Sequence, residues 1–508
     1  MTKTQVEHEI KLDVPEGAVV PDLTGLKGVK RVERVEVDLE ATYFDTADVR
    51  LLRARTTLRR RTGGSDEGWH LKRPLVGDQR SETHLPLGRA TRTVPAPLRR
   101  LVRVTVRDGA LEPVATLRTH RTVHRLLGKG DVVLAEVCDD VVDAQLTGAD
   151  EATSWREWEV ELVEGDETLL LAAVDVLASV GATRAERASK VGRVLEPVLA
   201  EHASPAPAAG LKKSRAGAVV WQHLATHVAR LHEYDPAVRA DEPDAVHQMR
   251  VATRRLRSAL TTFGPLLERD VTGPLKEELK GLGQVLGEAR DAEVLRDRLS
   301  DTLADLDPAV VVGPVRRRLQ AEDGYRAAYV ALLVYLDSER YVRLLDALDS
   351  LLADTPWRPQ ARRAAPAVLR RRVRAADDAL LKAVRRVDAA TQDGPVEPRD
   401  LAIHEARKRA KKARYAAEAA APALGKDAFR YAAVAEALQE VLGEHQDAVA
   451  AQRALRDLGV RAHEDGESAF TWGVLHGLEQ DRAEASRWEF EDVWAEASRG
   501  RYRRWLRG

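Results

Sequence analysis

The feature that most constrains the fold is a change of hydrophobic period part-way along the chain. Up to about residue 195 apolar side chains recur at every second position, as where Val35, Val37 and Leu39 alternate with Glu36, Asp38 and Glu40. That is the pattern of strands with one apolar and one charged face. Beyond about residue 214 they recur at i, i+3, i+4 and i+7 in stretches rich in Ala, Leu and Arg, broken by Pro265, Pro274, Pro308, Pro356, Pro395 and Pro422. That is the period of helices. One core does not serve both patterns, and 508 residues exceed the roughly 250–300 at which a single core stops growing. We therefore expect a sheet-rich domain over 1–196, a linker over 197–213 where Ala, Pro, Ser and Gly take over without periodicity, and an all-helical domain over 214–508.

In the first domain, strands are expected near 5–13, 34–44, 56–62, 69–73, 80–87, 114–127, 132–138 and 155–163, with helical pieces near 167–179 and 186–196. Eight strands suffice for a closed antiparallel barrel. Glu7, Glu9 and Lys11 fall on one face of the first strand, and Glu157, Glu159 and Glu161 repeat the arrangement near the end of the domain. Neighbouring carboxylates repel unless a cation joins them. Arg59, Arg61, Lys72 and Arg80, the last of these two residues before Glu82, supply the opposite sign. Any one of these segments alone reads as a solvated strand face. Facing one another across a lumen, they suit Mg²⁺ or Mn²⁺ holding a polyphosphate, with carboxylates on the metal and guanidinium forks on phosphate oxygens.

The second domain contains an internal repeat. His247-Gln-Met-Arg-Val-Ala-Thr-Arg-Arg-Leu-Arg257 aligns with His404-Glu-Ala-Arg-Lys-Arg-Ala-Lys-Lys-Ala-Arg414, and residues 282–292 align with 438–448 in the same order. The period is too long for a solenoid unit, so we expect two helical bundle halves related by pseudo-two-fold symmetry. On a helix His247, Arg250, Arg254 and Arg257 share a face, and the second copy is more basic still. Like charges one turn apart destabilise a helix, so two such faces point to a polyanion.

The overall charge of -1, from 80 basic and 81 acidic residues, conceals this segregation. Hydrophobic residues at 44% exclude wholesale disorder, and no apolar run approaches the length of a spanning helix. With a charged N-terminal segment and a single cysteine, Cys138, which suits packing better than chemistry, the expected compartment is the cytoplasm. Only 5% of residues are aromatic, and neither basic window interleaves them for base stacking, which disfavours nucleic acid.

Glu7-His-Glu-Ile-Lys11, followed in order by Tyr43-Phe-Asp-Thr46, Leu58-Arg-Arg-Arg61, Lys72, Arg80-Ser-Glu82, Glu136 with Asp140, Glu159-Val-Glu161 and Ser189-Lys190, resembles the CYTH family, the triphosphate tunnel metalloenzymes. The resemblance implies an eight-stranded antiparallel tunnel that hydrolyses inorganic triphosphate with Mg²⁺ or Mn²⁺. Family alternatives are nucleoside or thiamine triphosphate hydrolysis and adenylate cyclisation. It further implies that Glu7, Glu9, Glu159 and Glu161 bind metal and that Lys11, Arg59, Arg61, Lys72, Arg80, Arg121 and Lys190 hold phosphates. Arg118 is the alternative to Arg121. Glu7, Glu9 and Lys11 would be the catalytic set, for in-line attack by water oriented by a metal or a glutamate. His84 departs from the acidic residue that many members carry there.

Residues 247–260 and 403–418 are similar to the signature of the CHAD family, the conserved-histidine α-helical domains. This implies two pseudo-symmetric four-helix halves, association with polyphosphate granules, and binding of long-chain inorganic polyphosphate through His247, Arg250, Arg254, Arg255 and Arg257 in one copy. His404, Arg407, Lys408, Lys411, Lys412 and Arg414 are the positions in the other. The two histidines stand among cations, which favours phosphate contact or packing over metal ligation. The remaining reading is a polyphosphate-binding protein without turnover.

Overall fold

Among the described residues, ten strands arise where the period-two pattern runs: β1 (Lys3–Glu7), β2 (Glu9–Asp13), β3 (Arg31–Asp45), β4 (Thr57–Thr62), β5 (Gly68–Pro74), β6 (Arg80–Leu85), β7 (Glu112–Leu127), β8 (Val133–Leu146), β9 (Ala152–Leu162) and β10 (Thr183–Arg184). They form one antiparallel sheet in the order β1-β6-β5-β4-β3-β7-β8-β9-β2-β10. The computed structural model describes residues 3–74, 80–88, 92–185, 189–202, 210–321, 324–391 and 396–507. It divides into two units, 1–205 and 206–508.

The expectation of a closed eight-stranded barrel is corrected. The sheet is open: among the described residues β1 and β10 stand at its ends with no ladder between them. The cause lies at His8, where the expected first strand breaks: Lys3–Glu7 pairs with β6, whereas Glu9–Asp13 pairs with β9. Thr183 and Arg184 then take the remaining edge of β2.

Alternation decides what each face of the sheet meets. In β9, Trp158 and Val160 pack with Leu12 and Val137 against Leu170 and Leu177 of helix α3 (Glu167–Ala178). Fully burying side chains of this size contributes about 1.5–3 kcal/mol each. The glutamates between them therefore take the opposite face. Preceding α3 in the chain, α1 (Arg50–Arg53) and α2 (Ala96–Val106) serve the other end of the sheet. Leu98, Leu101 and Val102 of α2 cover Phe44, Leu58, Trp69 and Leu71. The sequence pattern predicts no element over 96–106, because its valines alternate while its leucines follow helical spacing. Asp45 fixes the end of β3 by accepting from the amides of Thr46 at 2.7 Å and of Leu51 and Leu52 at 2.9 Å, which caps α1. Asp45 is thus architectural, whereas Tyr43 of the same segment meets Arg59 at 3.4 Å. Gly63 has φ +83°, and a Cβ there would stand 2.2 Å from the Asp38 carbonyl oxygen, so the turn after β4 requires glycine. Two short helices, α4 (Lys190–Val194) and α5 (Glu196–Glu201), close the unit, and α5 lies within the stretch expected as linker.

The second unit is helical: α6 (Ala216–Arg239), α7 (Ala245–Thr262), α8 (Arg269–Asp305), α9 (Val315–Ala321), α10 (Gly324–Leu336), α11 (Glu339–Ala353), α12 (Ala365–Thr391), α13 (Val396–Leu424), α14 (Lys426–Glu464) and α15 (Phe470–Ala497). Two symmetric four-helix halves are not what forms; the bundles are irregular. The repeated blocks occupy α7 with α8 and α13 with α14, but around them the copies diverge. After α8, Pro308, Gly313 and Pro314 interrupt the α-helical chain over residues 306–314, whereas α14 and α15 are joined by residues 465–469. Proline lacks an amide hydrogen and glycine is a poor helix former, so the first copy leaves the α-helix for longer there. Among the described residues no helix is long and apolar enough to cross a membrane.

Candidate functional site

The charged face of the sheet encloses a cavity of about 450 Å³. Glu9 and Lys11 from β2, Arg59 and Arg61 from β4, Lys72 from β5, Arg121 from β7, Glu159 and Glu161 from β9 and Lys190 from α4 all line it. These residues span most of the unit in sequence and converge because antiparallel partners share a face. Glu9 stands opposite Glu161, Lys11 opposite Glu159, and Arg121 opposite Asp140. Arg118 lies outside, exposed and paired with Glu40 at 3.0 Å. The side chains of Glu7 and Arg80 lie outside the described residues; their backbones pair across β1 and β6.

One wall is a network of both signs. Asp140, Glu157 and Glu159 are buried and offer carboxylate oxygens within 4.8 Å of one another, a cluster suited to a divalent cation. Lys190 already reaches all three, at 2.9, 2.8 and 2.5 Å. Its place is set locally: Ser189 caps α4 by accepting from the Gly192 amide at 3.2 Å, which makes Lys190 the first helical residue. Arg121 forks onto Asp140 with two bonds of 2.7 Å and reaches Glu159 at 2.7 Å. Burial opposes ionisation of Asp140, yet Lys190 and Arg121 outweigh it and hold its carboxyl well below the usual range. Lys11 touches Glu159 and lies 3.6 Å from Glu9, but burial still brings it down to about 8.

Glu161 behaves differently. Burial, reinforced by Glu9 and Glu82, raises its carboxyl despite Lys72 and Arg121. In register it continues a row of three acids across adjacent strands, Glu136, Glu161 and Glu9. Such a surplus of hard oxygen donors fits Mg²⁺ or Mn²⁺. The fit at Asp140, Glu157 and Glu159 is conditional, because a metal there would compete with the Lys190 ammonium.

The opposite wall carries positive charge. Arg61 is buried, pairs with Asp66, and is lowered to about 9 by burial and then by Arg59 and Arg121. Lys72 stands 3.7 Å from Glu9 and 4.0 Å from Glu82. Beyond the charges, Val35, Val37, Leu39, Val123 and Val163 form an apolar border to the same cavity.

In the helical unit the structure sorts the expected basic residues into two groups. Arg255 and Arg414 both bind Glu418 and flank the Tyr415 ring at 4.8 and 5.8 Å, while Lys408 pairs with Glu405 at 2.8 Å. Lys412 is half-buried and lowered by burial and then Arg409, and Arg257 is exposed. His404 meets Gln446 at 2.8 Å, and burial followed by Arg290 lowers His247. Arg250, Arg254, Arg407 and Lys411 come together from both copies of the repeat. Burial, then Arg407, Arg254 and Arg250, bring Lys411 down to about 7. Arg250 pairs with Asp291 at 3.1 Å and Arg407 with Asp447 at 3.5 Å. Each also runs beside a repeat glycine: a Cβ at Gly287 would meet Arg250 at 3.7 Å, and one at Gly443 would meet Arg407 at 3.2 Å.

Asp140 and Glu157 stand outside the metal set that the resemblance implies; the register that puts them opposite one another, beside Lys190, is the signal that finds them. Cys138 is buried beside Arg121, and burial pushes its thiol up to about 12, which fits packing.

The CYTH domain family profile matches residues 5–195, and the CHAD domain profile matches 222–456. An uncharacterized protein of Mycobacterium tuberculosis, found in two strains, is 39% identical over 511 aligned residues, covering 96% of this chain and 95% of its own length. Among solved structures, PptA from Streptomyces chartreusis is 23% identical over 56% of this chain and 100% of that one, with a TM-score of 0.47. The CHAD domain from the plant Ricinus communis is 26% identical over 58% of this chain and 97% of that one, with a TM-score of 0.45.

Proposed function

From the premise that this chain belongs to the CYTH and CHAD families, with the CYTH domain first, we propose that it is a metal-dependent phosphoanhydride hydrolase. Its substrate on this reading is inorganic triphosphate, and its helical unit binds long-chain polyphosphate. The observation that carries the reading is one cavity in which an acid row, Glu136, Glu161 and Glu9, faces the cations Arg59, Arg61 and Lys72. Glu9, Glu159 and Glu161, with Glu7, would hold Mg²⁺ or Mn²⁺. A divalent cation supplies polarisation of the phosphate oxygens and a lowered barrier to attack by water. Lys11, Arg59, Arg61, Lys72, Arg80, Arg121 and Lys190 would neutralise the remaining phosphate oxygens. With Glu7, Glu9 and Lys11 as the catalytic set, a glutamate takes the proton of the attacking water while Lys11 offsets charge on the phosphoryl group. No covalent intermediate is required. In the second unit, Arg250, Arg254, Arg407 and Lys411 would form the centre of the polyphosphate site, because a polyanion relieves their mutual repulsion.

A second reading has its own observation. The apolar border of Val35, Val37, Leu39, Val123 and Val163 would accept the organic part of a nucleoside or thiamine triphosphate. The test is phosphate release by the full chain from inorganic triphosphate, ATP, thiamine triphosphate and long-chain polyphosphate, with Mg²⁺, Mn²⁺ or EDTA. Metal-dependent release fastest from inorganic triphosphate is expected. Faster release from an organic triphosphate would move the substrate to the second reading, and binding without release would leave a polyphosphate-binding protein.

A further inference from the structure

His70 lies in β5, two residues before Lys72, and only 2% of its side chain is exposed. Its Nδ1 is 2.8 Å from Glu82 Oε1, and its Nε2 is 2.9 Å from the carbonyl oxygen of Asp66. A carbonyl oxygen only accepts, so Nε2 must carry hydrogen. A neutral ring protonated at Nε2 leaves Nδ1 as a bare acceptor, facing an ionised carboxylate that is also a bare acceptor. Two lone pairs at hydrogen-bond distance, without room for water, is an arrangement that buried groups avoid. Both contacts are satisfied only when a proton sits between Nδ1 and Oε1, on the ring or on the carboxyl.

We propose that His70 and Glu82 share one proton, so that Glu82 adds no net negative charge to the cavity wall and Arg59, Arg61 and Lys72 face the phosphates at full strength. His70 is then a positioning residue for phosphate binding, acting through Glu82. The inference rests on the reading of this cavity as a phosphate site. The groups that face the ring agree with it. Glu82 and His84 come from β6, with the two imidazole centroids 4.9 Å apart, and Arg59 and Arg61 act on it from β4. Asp66 contributes its backbone oxygen and gives its carboxylate to Arg61. Burial holds His70 down at about 4, and Arg59 and Arg61 add to this against the pull of Glu82. The geometry requires the proton between Nδ1 and Oε1, and on either atom it leaves the pair without net negative charge. Lys72, 4.0 Å from Glu82 Oε1, then retains its charge for a phosphate.

The test measures tripolyphosphate binding by calorimetry in EDTA, so that turnover does not enter. It compares the full chain with His70→Gln, Glu82→Gln and the double variant. In His70→Gln the carboxyl loses its proton partner, ionises beside Lys72, and should weaken binding about tenfold. Adding Glu82→Gln removes that charge and should restore binding to within about threefold of the parent. A double variant as weak as His70→Gln, or a His70→Gln variant that binds like the parent, overturns the proposal. Nitrogen NMR of labelled histidine gives a readout that a packing role would not move. It should find Nε2 of His70 protonated, and a neutral ring protonated only at Nδ1 refutes the shared proton. Should the parent fail to bind tripolyphosphate, the reading of the cavity falls, while the NMR result still decides which ring nitrogens of His70 carry hydrogen.

Discussion

The two units hold their buried cations in opposite ways. In the CYTH unit cations and acids are interleaved: Lys190 touches three carboxylates and Arg121 two. In the CHAD unit Arg250, Arg254, Arg407 and Lys411 crowd together, and Asp291 and Asp447 are the acids beside them. Sequence already separates the cases, since acids alternate within β2 and β9 but are scarce in the repeat windows on α7 and α13. A site balanced in this way stays folded when empty and gains affinity where a metal and an anion arrive together. A cluster of one sign is strained when empty and relaxes around any flexible polyanion. The first arrangement suits chemistry on a defined group, the second capture of a chain.

The sharpest way to break this comparison lies inside the first unit, between two glutamates two residues apart. Glu159 neutralises Lys11, Arg121 and Lys190, whereas Glu161 is raised by burial and by Glu9 and Glu82. Both Glu159→Ala and Glu161→Ala should lower triphosphate turnover by at least about 10²–10³-fold. Their thermal stabilities should part: Glu159→Ala leaves buried cations without a partner and lowers Tm, while Glu161→Ala removes a strained acid and holds or raises it. Equal turnover in both variants and the parent would remove the metal assignment.

What was legible in sequence follows from this difference. The charged face of β9 could be read from Glu157, Glu159 and Glu161 because alternation fixes a strand's faces regardless of tertiary context. Which carboxylates meet could not, since that depends on register: Asp140 reaches Glu157 through the pairing of β8 with β9. The break at His8 was hidden because residues on both sides of it keep the same alternation, so one strand and two look alike. The repeat on α7 and α13 is plain in the sequence, but two symmetric four-helix halves would have to extend across segments where Pro308, Gly313 and Pro314 impose a different path. His70 was silent, as its role depends on Glu82, twelve residues on, and on the carbonyl of Asp66.

Charge reversal extends the comparison to the second unit. Arg254→Glu with Lys411→Glu should weaken polyphosphate binding by about a hundredfold at low salt, with the gap closing as salt rises, because exposed and half-buried charges are screened. Triphosphate turnover should not change. Loss of turnover together with polyphosphate binding would mean that the two sites do not divide the work as their charge patterns suggest. A smaller effect should appear with pH. Lys411 stands at about 7 in the free protein, and a bound polyanion raises it, so binding above that pH takes up a proton. Affinity should therefore be flat below about pH 7 and fall above it, by at most about tenfold per unit. Lys411→Arg, which keeps its charge throughout, should remove the step.

The smallest effect concerns stability in the absence of ligand, and its sign separates a stored repulsion from an ordinary surface charge. The folded state holds Lys411 below its usual value, with burial as the largest cause and three arginines adding to it. The unfolded chain therefore binds the proton more tightly, and the folded state loses stability as pH falls from the usual lysine range toward about 7. Lys411→Met keeps the length and apolar stem of the side chain but removes the charge. It should raise Tm by a few degrees at neutral pH, with the gain shrinking in alkaline solution, and at the same time weaken polyphosphate binding. Thermal melts at pH 7 and pH 10, with and without polyphosphate, read both effects. A Lys411→Met variant less stable than the parent at pH 7 would show that the ammonium is compensated by Asp447 and that the CHAD cluster, like the CYTH cavity, is balanced when empty.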